Sequence, residues 1–220
     1  MRAREVYILN QVYATGGVIG LALASVVISN LLRDRGLDSS LSRCFAGALG
    51  GAAFLAAVSW LDQWMAILVS GAMTLLILAL RLKFPKGLRG TSGRRPDQAW
   101  AEVTYALGGT MSLAVGWLLL GNRWLAFLPI AFMGWGDNAA GFARASIWRD
   151  HPASPWPSIV MMVVCLGTAT LFHPFWVGAV GGVVATAVER YRPMVIRVCD
   201  DNLLIVATSL AVMIILSRVA

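Results

Sequence analysis

Residues 64–82 read WMAILVSGAMTLLILALRL, a run close to the ~20 apolar residues that a helix needs to cross a bilayer. Runs of this kind recur along the chain. Eight are expected as membrane helices: Val6–Leu32, Leu41–Leu61, Trp64–Leu82, Ala99–Leu120, Trp124–Ala145, Pro157–Leu171, Phe175–Val188 and Leu203–Leu216. The sixth and seventh are short and are separated by His173-Pro174. Composition agrees: 58% of residues are hydrophobic and 13% charged, with a mean hydropathy of +0.72. Those values belong to membrane chains and not to a soluble core. The expected fold is all-α, a polytopic membrane protein of about eight transmembrane helices. Residues 1–220 form one integral membrane domain, because every connection is too short for a soluble one. Val6–Leu32 exceeds the length of a signal-peptide core and reads as a retained span.

The charges orient these spans. Arg33, Arg35 and Arg43 separate the first two; Lys83, Lys86, Arg89, Arg94 and Arg95 separate the third and fourth. Arg149 lies between the fifth and sixth, and Arg190, Arg192 and Arg197 between the seventh and eighth. The alternate connections hold only Asp62, Arg123 and His173. By the positive-inside rule the basic connections are cytoplasmic and both termini face out, in the plasma membrane of a bacterium or an archaeon. Merging spans six and seven would put Arg190–Arg197 outside, against that rule. A net charge of +7 thus calls for anionic lipids as partners and for no nucleic acid. Three scattered cysteines and two separated histidines argue against a zinc site or a disulfide framework.

Small and aromatic residues report on packing. Gly16/Gly20, Gly47/Gly51 and Gly178/Gly182 form GxxxG pairs, which let helices approach closely. The likeness of GALGGAA (47–53) to GAVGGVV (178–184) is read as packing and not as duplication. Tryptophans at the span ends, among them Trp60, Trp64, Trp124 and Trp156, fit an interfacial belt.

Against this background one stretch stands out, residues 136–144, GDNAAGFAR. A charge at membrane depth costs at least ~2.5 kcal/mol, so it marks a functional site by default. Helical spacing puts Asp137, Gly141 and Arg144 on one face. Gly141 leaves that face open for a phosphate or a metal, and the purely structural alternative is an Asp137–Arg144 clamp between helices. Glu102 and Tyr105 open the fourth span on the cytoplasmic side, and Asp200-Asp201-Asn202 leads into the eighth. Acids facing arginine-rich loops suit Mg²⁺ with a polyphosphate, since magnesium is held by one or two carboxylates and phosphate oxygens. The cationic loops would take the remaining phosphate charge. Asp200 and Asp201 also suit the cap and first turn of a helix, which is their structural alternative. No GxxxxGK[ST] loop is present, so a nucleotide site here is not of the Walker type.

Three segments resemble the dolichol kinase and phytol kinase family. Gly136-Asp137 with Ala140 is similar to its Gly-Asp-x-x-Ala-x-x-x-Gly signature, although the final glycine is missing. Residues 100–108 (WAEVTYALG) resemble its Gly-Glu-hydrophobic-hydrophobic-Tyr-Pro-Leu-Gly segment, and Asp200-Asp201-Asn202-Leu203 its Asp-Asn-Leu element, with Glu189 placed like an acid before it. Order and spacing agree over residues 84–216. The family's Lys-Ser/Thr-x-Glu-Gly-Ser stretch is replaced by HPASPWPS (151–158), and its N-terminal Arg-Lys-x-x-His element is absent from residues 1–32. The resemblance implies phosphoryl transfer from a nucleoside triphosphate, usually CTP, to an isoprenoid alcohol. On that reading Asp137, Asp200 and Asp201 hold Mg²⁺, assisted by Asn138, and Asp137, Glu102 and Asp201 are catalytic. Gly141, Arg144, Arg149, Arg94, Arg95 and Asn202 complete the nucleotide site, and a second copy of the chain is a candidate partner. The alternatives are a cytidylyltransferase acting on a lipid phosphate, a non-catalytic member of the family, and a small ion-coupled transporter.

Overall fold

The computed structural model describes residues 2–91, 100–151, 153–191 and 201–219, and every regular element among them is helical. Eight continuous rods follow one another among the described residues: α1 (Arg2–Asp34), α2 (Ser39–Trp60), α3 (Gln63–Lys83), α4 (Ala101–Leu120), α5 (residues 123–146), α6 (Trp156–Ala169), α7 (Phe175–Tyr191) and α8 (Asp201–Ser217). Their ends follow local chemistry. Asp62 caps α3 by accepting from the Met65 N–H at 2.9 Å, and it also accepts from the Tyr7 hydroxyl at 2.7 Å. These donors, the Met65 amide first, hold the Asp62 carboxyl below its ordinary range. Between α4 and α5 the turn needs only two residues. Gly121, at φ 62°, ends α4 in the left-handed conformation, and the Asn122 side chain accepts from the Trp124 and Leu125 amides to start α5.

Among the described residues, each apolar run expected from the sequence contains a helix, two of them ending short at Trp60 and Ala169. Four helices among the described residues are long and apolar enough to cross a membrane: Glu5–Asp34, Ser39–Trp60, Gln63–Lys83 and Ala101–Leu120. The others fall short of that standard for physical reasons. α6 has 14 residues and α7 and α8 have 17 each, so at 1.5 Å per residue they measure roughly 21–26 Å against a hydrocarbon core of ~30 Å. α5 dilutes its apolar run with Asp137, Asn138 and Arg144. Leu68, Leu75 and Leu82 of α3, Val163 of α6 and Ile215 of α8 are more than half exposed on the outer surface of the bundle. Large apolar surface of this kind is rare on soluble monomers and is compatible with a multi-pass membrane protein.

Hydrogen bonds between connections show that successive rods alternate in direction. At one end Gln11 Nε2 donates to the Trp60 carbonyl (3.5 Å) and Asn122 Nδ2 to that of His173 (3.2 Å). At the other end Asn30 Nδ2 donates to the Gly87 carbonyl (2.6 Å), Arg89 pairs with Asp34, Arg190 Nη1 donates to the Ser154 carbonyl (2.8 Å) and Asn202 Nδ2 to that of Ala101 (3.3 Å). That second end carries the described basic connections.

α5 is the hub. It packs against α2, α4, α6, α7 and α8, and Phe127, Leu128, Ile130, Ala131, Phe132 and Met133 are wholly buried. A helix apolar all round belongs inside a bundle. Two glycine-bearing helices grip it. A Cβ at Gly51 of α2 would lie 2.9 Å from Trp135 Nε1, and one at Gly178 of α7 would lie 2.7 Å from Leu128 Cδ1. The Gly16/Gly20 pair differs from its expected role, because nothing lies within 4 Å of an added Cβ at either glycine.

Within α5, residues Phe132–Asp137 form a π-helical turn, a feature that is frequent at functional sites. Asn138 Nδ2 donates to the Met133 (3.1 Å) and Gly134 (3.0 Å) carbonyls of that turn. A Cβ at Gly134 would lie 2.6 Å from the Tyr105 hydroxyl and 3.1 Å from Gly51 Cα. Gly134→Ala is therefore expected to lower stability by about 1–3 kcal/mol through overpacking. Gly20→Ala, in open space, should be neutral or slightly stabilising through helix propensity. Thermal melts in detergent check this, and equal shifts for the two variants would contradict the packing described.

Candidate functional site

At the basic end, α1 to α5 and α8 surround a cavity of about 140 Å³. Seven residues singled out from the sequence line it together: Glu102 of α4; Asp137, Asn138, Gly141 and Arg144 of α5; Asp201 and Asn202 of α8. They come from three helices, of which α8 is distant in sequence from the consecutive α4 and α5. Arg149 is exposed in the turn after α5 and does not line the cavity. Arg94, Arg95 and Asp200 lie outside the described residues.

Each polar side chain is held by its own partners. Glu102, in the first turn of α4, is buried, and its Oε1 lies 3.5 Å from Arg81 Nε of α3. The Arg81 guanidinium in turn lies 5.7 Å from the Trp100 ring centre. Asp137 closes the π-helical turn and is half-buried. Asn138 uses its amide nitrogen on the carbonyls of that turn, which leaves the amide oxygen as the group it can offer a ligand. Gly141 permits close approach to α2, since a Cβ there would stand 3.0 Å from Cys44 Sγ. The Tyr105 hydroxyl donates to the Gly47 carbonyl at 2.7 Å and ties α4 to α2 beside the cavity.

Arg144 departs from the clamp considered on sequence grounds. Its ion-pair partner is Glu189 of α7 and not Asp137. The Glu189 side chain is 1% exposed, the Arg144 side chain 35%, and Ser158 Oγ donates to the second Glu189 oxygen at 3.4 Å. Arg144 is thus charge-balanced from behind while it lines the cavity. Among the described residues no three His, Cys, Asp or Glu side chains are grouped closely enough to hold a metal ion. Asp137 and Asp201, two of the three expected magnesium ligands, do line the same cavity.

Sequence reasoning assigned Arg43, Cys44 and Gly47 of α2 to no site and read Gly47 only as packing, yet all three line the cavity. Arg43 served there only as a topology charge. The signal that finds it is helical spacing: positions 43, 47, 50, 54 and 57 share one face, on which an arginine heads a row of small and apolar residues. Neither a protein-family model nor a curated protein nor a solved structure matches this chain.

The Arg144–Glu189 pair makes a stability prediction. Arg144→Ala leaves Glu189 buried without its counter-charge and is expected to cost up to about 3–5 kcal/mol. Converting both residues to methionine should recover most of that loss, because well-packed apolar groups replace a buried pair at little cost. Melting temperatures of the single and double variants measure this; a double variant no better than the single one would contradict the assignment.

Proposed function

We propose that the chain is a membrane-embedded lipid kinase that transfers a phosphoryl group from a nucleoside triphosphate, CTP by the resemblance described above, to the hydroxyl of an isoprenoid alcohol. The observation that carries this reading is the meeting of Glu102, Asp137 and Asp201 with Arg43 and Arg144 at one end of a cavity whose remaining lining is mostly apolar. Carboxylates and guanidinium groups suit a magnesium–polyphosphate headgroup, and the apolar part suits a lipid. A transporter path would carry ionisable groups along its length, whereas the far part of the cavity is lined by Val18, Ala57, Val69 and Ser70, none of them ionisable. In this reading all eight helices traverse the bilayer, and the basic end faces the cytoplasm. The shorter helices are matched to the membrane by local thinning and by their interfacial tryptophans.

Two carboxylates on one cavity fit magnesium, which typically binds through one or two carboxylates and completes its shell with phosphate oxygens and water. Asp137 and Asp201, with the Asn138 amide oxygen, would hold the ion, whose charge would offset that of the triphosphate. Arg43 and Arg144 receive phosphate oxygens, and Glu189 fixes Arg144 for that task. Glu102, held by Arg81, accepts the hydrogen bond of the lipid hydroxyl and directs its oxygen toward the terminal phosphorus. The new bond joins that oxygen to the terminal phosphorus, the bond from that phosphorus to the bridging oxygen breaks, and the nucleoside diphosphate leaves. The hydroxyl proton passes to a carboxylate of the site. Phosphoryl transfer depends chiefly on positioning and charge neutralisation, so no covalent nucleophile is needed.

Purified protein incubated with Mg²⁺, labelled CTP, UTP or ATP and polyprenols should yield labelled lipid. Asp137→Asn should reduce transfer at least ~100-fold, on the scale of a lost electrostatic contact in a transition state, without lowering the melting temperature. Nucleotide at ~100 times its dissociation constant should stabilise the wild type by about 2.7 kcal/mol and leave the variant unmoved. Absence of labelled lipid with every triphosphate, or full activity in Asp137→Asn, would overturn the reading.

Topology is checked separately. Cysteines introduced at Gly87 and Val219 should react from opposite sides of sealed vesicles, Gly87 from the cytoplasmic side. Reaction of both from one side would reject eight spans.

A further inference from the structure

A short piece of chain walls in the charged end of the cavity. Beyond α3, residues 84–91 make a single 3-10 turn (Pro85–Leu88) and bridge the end of α1 to the start of α2. Asn30 of α1 holds this strap with both halves of its side-chain amide. Its Nδ2 donates to the Gly87 carbonyl at 2.6 Å, and its Oδ1 accepts from the Gly90 N–H at 2.8 Å. From α2, Ser42 Oγ donates to the Gly90 carbonyl at 3.2 Å. Gly90 fits because it has no side chain: a Cβ there would lie 2.4 Å from the Ser29 carbonyl carbon and 2.6 Å from the Asn30 backbone nitrogen. Residues 84–87 and 89 are exposed, whereas Leu88, Gly90 and Thr91 are buried, and Thr91 lines the cavity. The strap is thus one chain thick, with the cavity on its inner side. Ser42 adjoins Arg43, so the covered side is the charged end.

We propose that residues 84–91 form a hinged cover over the charged end of the cavity, released from Asn30 and Ser42 to admit a water-borne ligand between α1 and α2. The attachments of the strap are few and mostly polar. Leu88 is its buried apolar anchor, while Phe84, where α3 ends and the hinge lies, is exposed. Hinges sit at such element-terminal positions. Hydrogen bonds at the end of a bundle exchange for bonds to water at small net cost, and segments with few buried apolar contacts open before the core does. The other walls are faces of packed helices, so the strap is the wall that moves without unpacking the bundle. The Asn30 amide is the latch, because both of its bonds must break before Gly90 can leave. Arg89, paired with Asp34, holds the outer edge. The cover controls access whatever chemistry follows, and so stands apart from the kinase reading.

Cys44 is a native reporter of access, since it is 6% exposed, adjoins Arg43 and lines the cavity. Full-length protein in nanodiscs is treated with a negatively charged methanethiosulfonate, which the bilayer excludes. Mass spectrometry of the Cys44 peptide follows the labelling. The wild type should label far more slowly than the chain denatured in dodecyl sulfate. Asn30→Ala removes both latch bonds and should speed labelling about tenfold, because the rate follows the open population when reclosing is fast. Gly90→Ala, which forces the strap off the α1 backbone, should act in the same direction and is the second variant, should Asn30→Ala not fold; melting temperature reports folding. Asp34→Cys with Arg89→Cys, joined by a short bifunctional maleimide, ties the strap to α1. Added to either variant, this cross-link should return the rate to the wild-type value or below. A wild-type rate in a folded Asn30→Ala or Gly90→Ala would overturn the cover. So would a fast rate that survives the cross-link, or a wild type that labels as fast as the denatured chain.

Discussion

A helix that is apolar enough to be the core of a bundle cannot also carry charge without help, and α5 does both. Its first half, through Met133, is sealed among five other helices. Its second half presents Asp137, Asn138 and Arg144 to a cavity at one end. Removing an ionised group from water without a partner is costly, so the surrounding structure is arranged around that second half. Glu189 reaches from α7 to Arg144. The wide turn of residues 132–137 lies where the apolar half gives way to the polar half, and the Asn138 amide closes its carbonyls from within the same helix.

The small residues follow from the same constraint. A polar segment can be shielded at a bundle centre only if neighbouring helices come close, and without a hydrophobic force between helices in lipid, close packing carries the association. Gly47 and Gly51 bring α2 against the Asn138 and Trp135 side of α5, and Gly178 brings α7 against Leu128. The Tyr105 hydroxyl, bonded to the Gly47 carbonyl, fixes α4 at the same junction. The α2 glycines at the hub also keep that wall of the cavity thin, so packing and cavity share one origin.

Charge at one end and apolar walls beyond it give the cavity a direction. Every described ionisable residue lining it belongs to the end where the basic connections lie. Arg81 and Glu189 stand behind Glu102 and Arg144 and balance them from outside the cavity. This arrangement keeps the lining groups in place without occupying the space they face. The proposed lipid-modifying role rests on this division between a charged end and mostly apolar walls.

The sequence alone determined the helices, their alternation and the end at which charge collects, because apolar runs and loop arginines are local properties that bilayer physics reads directly. It also placed Asp137, Gly141 and Arg144 on one face, since helical periodicity needs no knowledge of neighbours. Glu102, Asp201 and Asn202 were legible as candidates through their position at the basic ends of their helices. Tertiary structure decided the rest. That Arg144 pairs with Glu189 and not with Asp137, that Arg43 belongs to the site, and that Gly47/Gly51 packs while Gly16/Gly20 faces outward all depend on which helices become neighbours. Pairing and close approach are contacts between segments far apart in the chain, so no local pattern specifies them until the bundle has closed around α5.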